Sequence, residues 1–329
     1  MELLAAARAG DEDAFGALVL PYRRELTAHC YRILGSAQDA EDAVQETLLA
    51  AWRGLAGFQE RSSLRTWLHR IATHCALRLA KSKPARLLSW DHGPARRPGE
   101  DLGSPVEGDV WVEPLPTETD HPERVRERRE HIGLAYVAAL QRLPPNQRAV
   151  LILRDVLGYP AAEVAGLLDT TPASVNSALQ RAHATLADTT LPLDQVATPK
   201  GKERSIVAAF VTAFDAGDVS GIVDLLAEQA RFTMPPLPAW LDGKDDVIAF
   251  LTERVFALDW RARPARFNDQ PSLACYQPAD DGTLELAAVL VLDLDGDRVT
   301  WLASFIGPDL LARIPLPQRI AANEFGDHR

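Results

Sequence analysis

The sequence predicts a multidomain chain: two all-α domains followed by an α+β domain. Three observations predict it. Apolar residues recur at helical spacing through 1–83 and again through 123–190. Between these stretches, Pro84, Pro94, Pro98, Pro105, Pro114, Pro116 and Pro122 crowd one segment, at a density that breaks helices. Beyond residue 203 the pattern becomes helices and then alternating runs divided by Asp-Gly turns. A length of 329 residues fits two or three domains.

In the first domain, 1–83, Leu3, Leu4 and Ala7 mark one helix. Phe15, Leu18, Val19 and Tyr22 mark a second, with Asp11 as its N-cap and acids in its first turn. Asp39 is expected to cap a helix running to about Trp52, with Ala40, Ala43, Val44, Thr47, Leu48 and Ala51 on its buried side. A fourth helix is expected from Ser63 to Lys81 on the stripe Leu64, Trp67, Leu68, Ile71, Ala72, Cys75 and Leu79.

The stretch 84–122 reads as an acidic Pro-rich linker. Its run Val110-Trp111-Val112-Glu113-Pro114-Leu115-Pro116 is apolar enough to dock on a neighbour. The second helical domain, 123–190, holds helices at Arg124 to Arg142 and Pro145 to Leu157, followed by two short ones. Residues 191–202 form another linker.

The third domain, 203–329, opens with helices near Glu203–Ala216, Val219–Ala227 and Lys244–Ala257. Runs at Arg263–Phe267, Ser272–Gln277, Leu284–Leu292 and Arg298–Phe305 read as strands. Asp280-Asp281-Gly282 and Asp295-Gly296-Asp297 are hairpin turns, so a curved, largely antiparallel sheet is expected.

Composition excludes several classes. No apolar run reaches the ~18 residues a membrane span needs. The N-terminus lacks the layout of a signal peptide. Cys30, Cys75 and Cys275 are far apart with no CxxC pair, so neither a disulfide framework nor a cysteine zinc site is expected. The expectation is a cytoplasmic protein with no cofactor, no metal and no membrane partner.

The net charge of −11 taken whole argues against nucleic acid, but its distribution does not. Residues 1–83 carry 11 basic and 10 acidic side chains, and 132–191 carry 4 of each. Residues 84–131 carry 7 and 11, and 192–329 carry 13 and 21. The excess acid thus lies in the linker and the third domain.

Three motifs carry chemistry. Asp39, Asp42 and Glu46 share one helix face at i, i+3 and i+7, which suits either solvent or a basic partner. Phe58 to Ala72 joins a polar loop to a basic helix bearing aromatics, the combination unpaired nucleic acid requires. Arg61, Ser62, Ser63 and Arg65 are placed to be exposed there, whereas Trp67 belongs to the apolar stripe.

The third motif, Ala161 to Ala182, has helix-turn-helix spacing. Val164, Ala165 and Leu168 face inward from its first helix, and Val175, Ala178 and Leu179 from its second. Thr171, Ser174, Asn176, Ser177, Gln180, Arg181 and His183 lie on the cap and outer face of the second helix. Asn, Gln and Arg can read base edges, and Ser and Thr reach phosphates. A plain helical hairpin with a polar face gives the same pattern. Asp169 occupies the turn position that often holds Gly, which Asp tolerates better than most residues.

DAEDAVQETLLAAW, SSLRTWLHRIATHCA and LPPNQRAVLILRDVLGYPAAEVAGLLDTTPASVNSALQRAHATL together resemble an extracytoplasmic-function sigma factor of bacterial RNA polymerase. The resemblance implies a sigma-two helical bundle at 1–83 and a sigma-four helix-turn-helix at 123–190. Asp39, Asp42 and Glu46 would then bind the β′ clamp helices of the core, and the β flap would be a further contact. Arg61, Ser62, Ser63, Arg65, Arg70, His74 and Arg78 would engage the −10 promoter element. Thr171, Ser174, Asn176, Ser177, Gln180 and Arg181 would read the −35 element.

The segment Phe232 to Pro236, then Trp240 to Gly243 and Trp301 to Phe305, makes the third domain similar to a SnoaL-like (NTF2-like) cone. That likeness implies a regulatory domain that contacts the sigma domains or the core enzyme and tunes activity. Catalysis is not expected: the domain has no histidine before His328, and Asp280, Asp281, Asp295 and Asp297 sit in turns. Asp242 and Asp259 are the remaining acid candidates. A ligand-responsive helix-turn-helix regulator independent of polymerase, and an enzyme with an attached DNA-binding region, are the other functional classes weighed against it.

Overall fold

The computed structural model describes residues 2–117, 133–187 and 200–321. They form two compact units. One joins residues 2–86 to 133–187, and the other joins 87–117 to 200–321.

The first unit is all helical. Helices α1 (Glu2–Arg8) and α2 (Glu12–Val19) precede a three-helix core. Asp11 caps α2 as expected, accepting from Ala14 N at 3.0 Å. The core helices are α3 (Arg23–Leu34), α4 (Ala37–Gly54) and α5 (Leu64–Ser82). α3 has no simple apolar stripe, because His29, Cys30, Tyr31, Arg32 and Ile33 are all fully buried.

One expectation needs correction here. Ser36, not Asp39, caps α4: its hydroxyl accepts from Asp39 N at 3.1 Å. Asp39 therefore stands one turn inside the helix. Gly35 ends α3 at φ 70°, and a Cβ there would lie 2.8 Å from Gln141 Cδ. Only glycine meets both demands.

The second part of this unit comprises α7 (Leu134–Gln141), α8 (Pro145–Leu151), α9 (Ala161–Leu167) and α10 (Pro172–Ala187). Residues 124–132 of the first expected helix lie outside the described residues. α8 continues as a π-helical turn over Ile152–Val156. α10, at 16 residues, is longer than the short helix expected. Arg148 on α8 is buried and donates to Gln141 O and Leu143 O at 2.9 Å, and also to Ile33 O. Burial lowers its pKa to about 10, still well above neutral, so the guanidinium stays charged among carbonyl acceptors.

The second unit begins with the Pro-rich stretch, which contains a single helical turn α6 (Ser89–His92). Then come α11 (Lys200–Ala216), α12 (Val219–Val223), β1 (Leu226–Thr233) and β2 (Trp240–Asp242). α13 (Lys244–Phe250), β3 (Arg261–Phe267), β4 (Gln270–Pro278), β5 (Thr283–Asp295) and β6 (Arg298–Phe305) follow. α14 (Pro308–Leu311) and β7 (Arg319–Ala321) complete the described part.

The strands make one sheet in the order β2-β1-β6-β5-β4-β3, with β7 on β5. β1 runs parallel to β6 and the other pairings are antiparallel. The four expected strands correspond to β3–β6; β1, β2 and β7 were not expected. α11 packs on β3 and β4, and α13 on β1, around a core that includes Phe210, Phe232, Phe250 and Leu290.

The stretch expected as a linker is docked over 87–117, as its apolar run allows. Trp111, Val112 and Leu115 are buried. Each such side chain contributes ~1.5–3 kcal/mol to docking. Leu115 N donates to Asn268 Oδ1 at 2.9 Å, and Asn268 N donates to Leu115 O at 2.8 Å. Asn268 and Asp269, at φ 56° and 55°, form the two-residue β3–β4 turn. Val106 N donates to Pro236 O at 2.9 Å, and Arg96 N to Trp240 O at 2.7 Å. Proline thus stops helix formation without preventing order, because the sheet end supplies the missing partners.

Candidate nucleic-acid interface

The outward face of α4 presents Glu41, Asp42, Gln45 and Glu46 beside Leu49, which is 56% exposed. Asp39 does not belong to this face. It is buried, accepting from Lys83 Nζ at 2.5 Å and Arg86 Nη2 at 2.6 Å. The i, i+3, i+7 spacing could not show this, since the cations arrive from beyond α5. Glu46 stays exposed but pairs with Arg78 on α5.

The basic loop and helix divide into free and engaged groups. Arg61 and Ser62 are exposed, and their side chains have no partner among the described residues. Ser63 Oγ caps α5, accepting from Thr66 N at 3.0 Å. Arg65 is half-buried in a two-point pair with Glu25, its Nε donating at 3.0 Å. Its guanidinium also lies 5.9 Å from the Tyr159 ring centre.

Arg70 donates to Asp169 Oδ1 at 2.8 Å, and His74 Nε2 lies 2.9 Å from Leu167 O. These two contacts join α5 to the turn of the helix-turn-helix. Arg78 is held by Glu46. Of the seven side chains expected on one nucleic-acid surface, five are thus occupied by contacts within this unit. For Arg65, Arg70, His74 and Arg78 the signal missing from the sequence was the distant partner, respectively Glu25, Asp169, Leu167 and Glu46.

Beneath this surface lies a buried imidazole pair. His29 Nε2 is 2.8 Å from Thr73 Oγ1, and its ring centre is 5.2 Å from that of His69. His69 Nδ1 donates to Arg65 O at 2.9 Å, and its ring faces Tyr159 at 6.0 Å. Burial, then His69, Arg32 and Arg65, hold the pKa of His29 well below its ordinary value. Burial also lowers that of His69, with the Arg65 carbonyl and Glu25 acting in the opposite direction.

The helix-turn-helix has the expected core: Val164, Ala165, Val175 and Ala178 are buried together with Val150, Leu153 and Tyr159. Asp169 sits at φ 50°, in the left-handed region. Thr171 Oγ1 accepts from Ser174 N at 3.2 Å, fixing the start of α10. Asn176, Ser177, Gln180 and Arg181 are exposed, and their side chains have no partner among the described residues. His183 lies 2.6 Å from Asp155 Oδ2. α10 therefore presents a polar face with its donors and acceptors available, on a helix positioned by an apolar hairpin core.

Among the described residues, no helix is long and apolar enough to cross a membrane. No group of three or more His, Cys, Asp or Glu there could hold a metal ion.

Comparisons with known proteins match three family models: Sigma-70 region 2 at residues 18–85, Sigma-70 region 4 at 134–186 and a SnoaL-like domain at 207–301. ECF RNA polymerase sigma factor SigG of Mycobacterium tuberculosis is 41% identical over 323 residues, spanning 95% of this chain and 86% of that one. ECF RNA polymerase sigma factor SigJ of the same species is 26% identical over 318 residues, spanning 91% and 94%. The crystal structure of SigJ superposes with a TM-score of 0.61 at 23% identity, covering 90% of this chain and 98% of that one. It shares the fold, helical domains followed by an α+β domain.

Proposed function

Because the chain belongs to the extracytoplasmic-function sigma factors of RNA polymerase, we propose a division of labour among its surfaces. A sigma factor binds core polymerase and directs it to promoter DNA, so the polymerase-independent regulator is not retained. The acidic face Glu41, Asp42 and Glu46 engages the basic β′ clamp helices, and Asp39 serves the fold instead. The β flap takes part through the region-4 half. Asn176, Ser177, Gln180 and Arg181 read the −35 duplex in the major groove, with Thr171 and Ser174 at the helix start.

The observation that carries this reading is the free polar face of α10 within the segment matched as region 4. Arg61 and Ser62 give first contact with the −10 element. Arg65, Arg70, His74 and Arg78 join only when their pairs exchange for phosphates and base edges. Such pairs are half-buried or exposed and exchange at low cost. The chain therefore binds promoters weakly until polymerase supplies further phosphate contacts.

The C-terminal domain tunes this activity by holding the stretch between the two sigma regions. That role is supported by the docking of 87–117 on the sheet end through Asn268 and Leu115. Asn268→Ala should alter transcript yield while leaving polymerase affinity unchanged; unaltered yield removes the role. For the whole reading, the test is co-elution of the full chain with core polymerase. Co-elution and promoter-directed transcripts are expected, and failure to associate contradicts it.

A further inference from the structure

The cone of the second unit holds a partly open cavity of about 290 Å3. Its wall is rich in large apolar side chains, chiefly Phe210, Phe214, Phe232, Met234, Phe250 and Trp260. Interiors are otherwise packed to crystal-like density, so a void of this size is a built feature. It lies near the lower end of small-molecule sites.

Three polar groups break the apolar lining. Ser304 is buried, and its hydroxyl has no partner among the described residues. Its oxygen is not sealed in the packing but opens onto the cavity space, where a ligand can reach it. Gln277 is half-buried on β4 with an amide equally unpartnered. Arg254 is exposed at the rim and makes no ion pair among the described residues. Cys275 also faces the cavity, but burial pushes its thiol up, so it is neutral. The lining includes no carboxylate and no imidazole, the groups acid–base catalysis would use.

The stretch between the sigma regions closes part of this cavity. Leu102 lines it directly. Gly103 beside it sits at φ 77°, where a Cβ would come 3.1 Å from Pro238 Cγ. The close approach that places Leu102 therefore requires glycine.

We propose that this cavity binds a small amphipathic carboxylic acid, with Leu102 as part of its lid. The apolar body fills the aromatic wall, the carboxylate reaches Arg254, and Gln277 and Ser304 hydrogen-bond along its path. Occupancy secures Leu102, and with it the segment that ties the two sigma regions. The effect on transcription rests on the role proposed for that segment, whereas the binding does not.

The test is calorimetric titration of the full chain with decanoate, 1-naphthoate and decanol. Saturable 1:1 binding of at least one acid is expected, and the better of decanoate and 1-naphthoate distinguishes a chain from a ring. Arg254→Gln should weaken the acid roughly five- to tenfold and leave decanol unchanged. Ala288→Phe, which fills the cavity, should abolish binding while circular dichroism stays native. Arg254 lies at the surface, so its variant decides the question even where Ala288→Phe fails to fold. Hydrogen exchange of amides near Leu102 should slow on binding. Absence of binding up to millimolar acid overturns the site. Equal affinity in Arg254→Gln overturns the carboxylate assignment, and unchanged exchange overturns the lid.

Discussion

Arg70 Nη2 and Asp169 Oδ1 stand 2.8 Å apart, tying the helix assigned to the −10 element to the turn that starts the −35 reader. Both side chains are about half exposed, 48% and 64%. An exposed pair of this kind contributes ~0.2–1 kcal/mol. Asp169 also holds a left-handed backbone at φ 50° that glycine adopts freely. Asp169→Gly should therefore leave the melting temperature within about 2 °C and raise promoter affinity of the holoenzyme up to about fivefold. Unchanged or weaker promoter binding in a filter-binding titration means the pair does not restrain the surface.

The reader face of α10 should separate sequence discrimination from stability. Gln180→Ala and Arg181→Ala remove exposed side chains without partners among the described residues. Each should cost ~1–3 kcal/mol of discrimination between the cognate −35 duplex and one substituted at the contacted base. Denaturant midpoints should not move. A uniform loss across all duplexes would identify the residue as a phosphate contact instead.

Asp39 and Asp42 should behave as opposites despite standing one turn apart. Asp39→Asn leaves Arg86, whose side chain is 3% exposed, facing a neutral partner. Breaking a buried pair costs about 3–5 kcal/mol, visible as a lower urea midpoint. Asp42→Asn lies on the open face and should shift stability by less than ~0.5 kcal/mol. Equal effects would refute the burial-based assignment.

Acid should loosen the first unit through its imidazole pair. His29 and His69 are held below their ordinary pKa mainly by burial, facing Arg32, Arg65, Glu25 and Thr73. A base with a depressed pKa favours the fold when neutral. Its contribution is full above the unfolded value of about 6.5 and is lost as pH falls below that. Melting temperature should drop between pH 6.5 and 5, and less steeply in His29→Gln than in the parent. Parallel slopes for the two proteins would exclude His29 as the titrating group.

The helix-turn-helix, the α4 and α5 helices and the four strands β3–β6 were legible because their apolar spacing is local. α3 was not, since burial on all sides by His29, Arg32 and their neighbours erases the period that marks an amphipathic helix. β1 pairs in parallel with β6 across some seventy residues, and its antiparallel partner β2 is only three residues long, so Leu226 to Thr233 gives little hairpin signal. The docked stretch reads as a linker because its partners, Asn268 and Pro236, are supplied by distant turns. The candidate site followed the same rule. Residue types on α5 and α10 were readable from sequence, but Arg70 meeting Asp169 joins positions 99 apart. Asp39 shows the converse, where correct helical spacing gave the wrong face.

The central claim is that this chain meets core polymerase through the open acidic face of α4. Run-off transcription with limiting amounts of the full chain carrying Asp42→Lys, compared with the unaltered chain, tests it most directly. The account predicts a severe loss of promoter-directed transcript at limiting protein, recovered in part by excess, with an unchanged melting temperature. Full transcript yield from the Asp42→Lys chain at limiting protein would contradict it.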